Sequence, residues 1–480
     1  MIRGILLATL LYCAVIIPLQ AQSQNQLTLQ QCVKIALDSN LTVRRSYYNV
    51  ETNKVNLLSA KGAFLPSLNG SLSYNRNYGR NLNPVTYTYV VGVTKSINPS
   101  ISSSWTLFNG LRIQNTFRSN QRSVVAANLD LEKSKNDVII NVVTYYTNVI
   151  LNKELYENAK FQLTSSQQQL DKITKQVEVG ALPKSNQLNQ EAIVATNETN
   201  LITQENALNI SLLQLKQSML VPSSTPLDVV VPDIAMEDLV LDQTPEEIYK
   251  VSTQSLPQVK SARLKVESAQ FAVKAARGSY LPRLSLNASA TSNYNSASDT
   301  PRKTPDGGYT ISTQPVGVDP STNQLIYALS PTYTITSEHY GAGDQLKDNL
   351  FKNLGFSLTI PILNGLQTRT NVEQAIINKK LAEVTVKETE MSLRQSIETA
   401  YTNAIAAAKR YTAAVKQVSA SEEAYRMTKQ RLDNGAANFV EFQISTNDLF
   451  SAKSSLAQAK FNFILTKKVL DFYQGKSIEY

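Results

Sequence analysis

Along two stretches of the chain, apolar side chains return at every seventh residue. Val142, Val149, Tyr156, Leu163, Leu170 and Val177 form one stripe. Ile397, Ala404, Tyr411, Val418, Tyr425 and Leu432 form the other, 255 positions later. A sustained seven-residue apolar repeat is the seam of a coiled coil. No glycine or proline falls between Gly110 and Gly180 or between Gly365 and Gly435. Each interval therefore predicts a helix of about 70 residues, on the order of 100 Å long at about 1.5 Å per residue. The stripe resumes beyond each glycine, at Val194, Leu201, Leu208 and Leu215 and at Leu449, Leu456, Phe463 and Leu470. Each pair of stripes reads as an antiparallel helical hairpin turning at Gly180 or Gly435, because glycine readily takes the left-handed geometry that ends a helix.

Elsewhere the period falls to two. Leu68, Gly70, Leu72 and Tyr74 alternate with polar residues, as do Ser103, Trp105 and Leu107. The same holds for Leu284, Leu286, Ala288 and Ala290, and for Phe356, Leu358, Ile360 and Ile362. Such alternation predicts strands with one apolar and one polar face. Pro66 and Pro282 mark the change from helix to strand, since proline biases the preceding leucine toward extended geometry and lacks a donor. Pro361 falls near the end of the last strand, where an edge or bulge tolerates the missing donor.

The elements come twice. Residues 60–66 (Ala-Lys-Gly-Ala-Phe-Leu-Pro) resemble residues 276–282 (Ala-Arg-Gly-Ser-Tyr-Leu-Pro), 216 positions later. Asn109-Gly110-Leu111 recurs as Asn364-Gly365-Leu366, and Tyr146-Thr147-Asn148 as Tyr401-Thr402-Asn403, both at 255. The larger second offset places extra sequence in the second copy, at 296–349, which reads as a long loop rich in Ser, Thr, Gly, Pro and Tyr. The resulting division is a first repeat at 22–220, a connector at 221–244 carrying Pro222, Pro226 and Pro232, a second repeat at 245–474, and a tail at 475–480.

The first residues carry Arg3 and then a short apolar run from Ile5 to Leu19 before Gln20 and Ala21. That is the pattern of a cleaved secretory signal at 1–21, and the run is shorter than the roughly 20 residues of a membrane-spanning helix. Loss of Arg3 lowers the net charge from +9 to +8. No lysine or arginine block stands out, so the balance reads as a solvated surface with no nucleic-acid partner. Of the two cysteines, Cys13 and Cys32, only Cys32 remains after cleavage, and one thiol closes no internal disulfide.

With one histidine (His339), one mature cysteine, no Walker-type glycine loop and no paired metal-ligand motif, the chain lacks the usual catalytic, cofactor and metal sets. No enzymatic activity, cofactor or metal is expected. The strands have two readings. One is a small soluble sheet capping a periplasmic structural or adaptor coiled-coil protein. The other is a membrane crossing, in which unpaired backbone groups are so costly that a sheet must close on itself. Bacterial barrels begin at about eight strands, so four strands require several subunits to pool them.

The Leu-Pro block closing the first helix, the Leu107-Phe108-Asn109-Gly110 and Pro361-Ile362-Leu363-Asn364-Gly365 turns into the long helices, and the glycine-centred tips resemble the TolC-like outer-membrane efflux proteins over nearly all of the mature chain. The resemblance implies a mainly α fold with a transmembrane β part. Its duplicated helical hairpins would form a trimeric α-barrel continuous with a shared twelve-stranded β-barrel, four strands per subunit. It also implies a passive exit duct of a tripartite efflux or type I secretion system, set in outer-membrane lipid and docked by a periplasmic adaptor and an inner-membrane transporter. By the same resemblance, Glu441, six residues beyond the second tip glycine, faces the lumen at the periplasmic entrance, with Asn186 at the equivalent place in the first copy. Ile444 stands where a second acid is often found, and Leu432 and Ala437 stand where some members carry a tyrosine–arginine latch. The tips at 177–185 and 432–439, centred on Gly180, Ala181, Gly435 and Ala436, are the expected adaptor contacts, and the 296–349 loop is expected to face the exterior.

Overall fold

The computed structural model describes residues 26–82, 89–231, 243–298, 302–336 and 340–476. The expected signal segment 1–21, His339, Pro232 within the connector and tail residues 477–480 lie outside the described residues.

The chain opens with β1 (Gln26–Leu27), α1 (Leu29–Ser39) and α2 (Leu41–Gly62). Two strands follow, β2 (Ser67–Leu82) and β3 (Tyr89–Phe108), and then the hairpin of α3 (Arg112–Glu178) and α4 (Lys184–Ser218). After β4 (Asp228–Val229) the order is replayed by α5 (Pro245–Ser255), α6 (Pro257–Arg277) and β5 (Arg283–Thr291). The replay then departs from the first copy with β6 (Tyr294–Asn295), β7 (Arg302–Val318), β8 (Leu325–Thr336) and α7 (Ala342–Asp348). It closes with β9 (Phe351–Thr359), α8 (Gln367–Asp433) and α9 (Phe439–Tyr473). The two uninterrupted intervals are each one helix of 67 residues.

Two expectations are corrected. The 296–349 insertion contains an antiparallel hairpin, β7–β8, and the short helix α7. Its loop-like composition masks an alternation in which Tyr327, Leu329, Pro331 and Tyr333 share one face and Ala328, Ser330, Thr332 and Thr334 the other. Pro305, Pro315 and Pro331 fit there because, among the described residues, β7 and β8 pair only with each other and each keeps an open edge. The last strand stops at Thr359, so Ile360, Pro361 and Ile362 lie in the connection to α8. The ladder ends at Thr359 opposite Arg283, the first residue of β5, two positions before Pro361.

The chain divides into two compact units. One comprises the described residues up to Val55, those within Asn120–Ala269 and those from Asn378 onward, and its described elements are helices apart from the parallel pair β1–β4. The seven-residue stripes form its interior. Val142, Val149 and Leu215 are fully buried with Cys32, Tyr146 and Val229 in one cluster, and Ile397, Ala404 and Leu470 with Ile248 and Val259 in another. Burial pushes the Cys32 thiol up to about 12, so it stays protonated and unreactive. The other unit, Asn56–Ser119 with Gln270–Ile377, holds the main sheet in the order β2-β3-β5-β9, with β6 paired to β3, and the separate β7–β8 hairpin. Pro99 sits inside β3 without breaking it, because β5 ends at Thr291 opposite Ser100 and no strand faces the proline nitrogen.

Candidate functional site: hairpin tips and a two-faced sheet

Both hairpin tips are built by the same backbone device. At the end of α3, Gly180 takes φ +75°, its N–H donates to Val177 O at 3.0 Å, and Ala181 N–H reaches Gln176 O at 2.8 Å. At the end of α8, Gly435 takes φ +73°, its N–H donates to Leu432 O at 3.0 Å, and Ala436 N–H reaches Arg431 O at 2.7 Å. These paired bonds are a Schellman motif, which satisfies the last helix carbonyls and needs a left-handed residue. The side chains then differ. α4 starts at Pro183 with no side-chain cap, whereas Asn438 Oδ1 accepts the Glu441 N–H at 2.8 Å at the start of α9.

Glu441 is exposed and lies 3.4 Å from the Arg431 guanidinium across the turn, which also donates to Ala436 O at 3.1 Å. Its place in the first turn of α9 adds a favourable interaction with the helix N-terminus. The positions 255 residues earlier hold Gln176 and Asn186, so the first tip carries neutral amides where the second carries an ion pair. Lys172 on α3 reaches Asp433 on α8 at 3.2 Å, joining the two hairpins near their tips. Both pairs are exposed and contribute about 0–1 kcal/mol each. Sequence reasoning found Glu441 but not Arg431, Asn438 or Lys172. The available signal was Asn438 three residues before Glu441, an N-cap spacing, with Arg431 in the preceding helix's last turn.

The strand–helix transitions also share a backbone. Gly110 and Leu111 take φ of +66° and +62°, Gly365 and Leu366 +60° and +65°. Asn109 Oδ1 accepts the Ile113 N–H at 3.3 Å, and Asn364 bonds the Thr368 hydroxyl. Their surroundings differ. A Cβ on Gly110 would lie 2.3 Å from Gly278 O, whereas nothing lies within 4 Å of one on Gly365. Pro66 and Pro282 lie immediately before β2 and β5.

Along β2-β3-β5-β9 the register puts polar and apolar residues on opposite faces. One face carries Ser and Asn tied across strands: Ser71 to Ser100 at 2.7 Å, Asn98 to Ser73 at 3.3 Å, Ser104 to Asn287 at 2.9 Å. The other carries Leu68, Leu72, Ile101, Leu354, Phe356 and Leu358. Leu68 is 74 % exposed and Leu72, Leu354 and Phe356 72 % each, so none of the described residues covers this face. Among the described residues, no strand pairs with the outer edges of β2 and β9. Among the described residues no helix is long and apolar enough to cross a membrane, and no cluster of His, Cys, Asp and Glu could hold a metal.

Long duplicated helical hairpins joined to an amphipathic sheet define a fold shared with outer-membrane channels. The solved Campylobacter jejuni CmeC outer membrane channel superposes with a TM-score of 0.73 at 17% identity, over 94% of this chain and 87% of that one. In sequence, the profile of the family described as outer membrane efflux protein matches residues 32–219 and 248–471, and the chain belongs to that family. Outer membrane efflux protein BepC of Brucella suis biovar 1 (strain 1330) is 22% identical over 456 residues, covering 94% of this chain and 86% of BepC. Outer membrane protein TolC of Escherichia coli (strain K12) is also 22% identical over 456 residues, covering 93% of this chain and 81% of TolC.

Proposed function

We propose that this protein is the passive exit duct of a tripartite efflux or type I secretion system, a homotrimer whose pooled strands line a pore through outer-membrane lipid. The observation that carries the proposal is the two-faced sheet: a hydrogen-bonded Ser/Asn face suited to a wet lumen, a bare apolar face suited to hydrocarbon, and two open edges. In lipid each unpaired backbone group costs several kcal/mol, so the edges must meet those of another copy.

The duplication supplies the register. Inside the chain, strand β3 of the first copy pairs with β5 of the second, with Ser102 opposite Ser289. Moving β3 forward by 255 positions gives β9, and moving β5 back by 216 gives β2, so the equivalent contact between subunits sets Ser357 opposite Ser73. The double variant Ser73→Cys/Ser357→Cys is expected to give disulfide-linked oligomers in oxidised outer membranes. The off-register pair Asn69→Cys/Ser357→Cys is expected to stay monomeric on a denaturing gel. Linkage by the second pair and not the first would reject this closure.

In the same reading, the exposed tips around Gly180, Ala181, Gly435 and Ala436 receive a periplasmic adaptor, and an inner-membrane transporter supplies the energy. Glu441 and Asn186 line the periplasmic entrance, where a ring of Glu441 carboxylates favours cations. Replacing Glu441 by Gln leaves Arg431 unpaired and makes the entrance more positive. Weaker cation preference or a changed single-channel conductance is expected in planar bilayers, and no change in either would exclude the ring.

A further inference from the structure

The outward apolar face of the sheet does not stay apolar to its end. Beyond Leu68, Leu72 and Tyr74, the same side of β2 presents Arg76, Tyr78 and Arg80, and the opposing side of β3 presents Val91, Val93 and Lys95. Arg76 stands directly opposite Lys95 in the register. Like charges facing each other across a strand pair repel, and none of the four strands supplies an acid to relieve them: β2, β3, β5 and β9 contain no Asp or Glu. Arg76, Arg80 and Lys95 are exposed and form no ion pair among the described residues. Tyrosines hold the guanidiniums instead, with Arg76 5.4 Å from the Tyr78 ring centre and Arg80 3.9 Å from that of Tyr89. Stacking on a ring face leaves the N–H edges free for an oxyanion.

The position of this ladder identifies its counter-ion. Helices α2 and α3 join the strand pair at Ser67 and Phe108, so Leu82 and Tyr89 mark the end away from them. Going from Leu107 to Lys95 along β3 covers about 40 Å at about 3.4 Å per residue. At a strand tilt of about 40° that is about 30 Å along the membrane normal, the thickness of a hydrocarbon core. The cations therefore emerge where lipid headgroups begin, at the end opposite the helices. We infer that Arg76, Arg80 and Lys95, braced by Tyr78 and Tyr89, bind the phosphate groups of the phosphorylated glycolipid that forms the exterior leaflet of the outer membrane. The inference rests on the membrane-crossing reading of the strands.

The test uses the full chain in detergent, offered bisphosphorylated lipid A or the same lipid with its phosphates removed, with lipid retained per protein measured by mass spectrometry after washing. At least five-fold greater retention of the phosphorylated lipid is expected, and equal retention of the two would overturn the proposal. This comparison needs only the native protein, so it stands even if a variant misfolds. The Arg76→Gln/Arg80→Gln/Lys95→Gln variant should fall to parity between the lipids, and the charge-preserving Arg76→Lys/Arg80→Lys variant should keep at least half of the preference. A glutamine variant that keeps the full preference would overturn the assignment of these residues. Millimolar inorganic phosphate should leave the lipid bound, and displacement would indicate a free-phosphate site instead. Insertion into neutral phosphatidylcholine vesicles is scored separately. Failure to insert defeats the membrane reading itself, whereas insertion with equal retention of the two lipids defeats only this inference.

Discussion

Gly110 and Gly365 occupy the same turn in the two copies of the chain, with nearly the same backbone, and meet different neighbours. Gly110 is pressed against Gly278, the glycine at the end of the second copy's α6, so closely that neither position has room for a Cβ. The counterpart of that contact would join Gly365 to Gly62, at the end of the first copy's α2, yet a Cβ added at either would meet nothing within 4 Å among the described residues. A duplicated chain can satisfy each copy-to-copy contact only once within itself. In the proposed oligomer, the surfaces left bare, Gly62 with Gly365 and the β2 edge with the β9 edge, would be completed by a neighbouring subunit.

The largest effect that separates the copies is expected at these glycines. Gly110→Ala combines left-handed strain with a backbone clash, so about 3 kcal/mol or more should be lost from thermal unfolding of the dissociated chain. Gly365→Ala meets open space and should cost only the strain, about 1–2 kcal/mol. In the assembled protein the gap should narrow, because Gly365→Ala would then clash across the subunit boundary and lower the melting of the oligomer as well. A Gly365→Ala oligomer that melts like the wild type would break the equivalence.

A smaller contrast lies in the helical unit. The Tyr146 hydroxyl is 2.6 Å from Val230 O and 3.2 Å from Leu27 O, where the β1–β4 pair ends, and the side chain is 1 % exposed. Its counterpart Tyr401 is half-buried and has no hydrogen-bond partner among the described residues. Tyr146→Phe removes the donor to the half-buried Val230 O, while Leu27 O keeps the Val230 N–H at 3.2 Å, and should destabilise by about 1–2 kcal/mol, against a change within about 0.5 kcal/mol for Tyr401→Phe. Equal losses in chemical denaturation would show that the hydroxyl contributes nothing particular to the first copy.

These contrasts mark where the sequence is legible. The 67-residue helices could be read because a seven-residue period and the absence of glycine and proline are local signals repeated many times over. The apolar and polar faces of the four main strands were legible for the same reason. The Gly110–Gly278 approach, the two-residue strands β1 and β4 and the Arg431–Glu441 pair depend on residues that only the folded chain brings together. Pro305, Pro315 and Pro331 hid the β7–β8 hairpin, since proline usually argues against a strand and is tolerated here only on unpartnered edges.

The finest contrast is one of protonation. Each copy begins with a capping box 216 residues from the other. Thr28 N–H donates to Gln31 Oε1 at 2.9 Å at the start of α1, and Thr244 N–H to Glu247 Oε2 at 2.8 Å at the start of α5. Only the second cap titrates. Bonds from the Thr244 backbone N–H and hydroxyl hold the Glu247 carboxyl below its ordinary range. A carboxylate with a depressed folded pKa stabilises fully above its unfolded value, about 4.3, and that contribution is lost as pH falls through the folded value. Amide protection at Glu247 and Ile248, corrected for intrinsic exchange, should therefore fall between about pH 5 and pH 3 relative to Gln31 and Cys32. Glu247→Gln should make the two caps respond alike. If the first-copy cap loosens in parallel, the acid sensitivity belongs to the helical unit as a whole and not to this carboxylate.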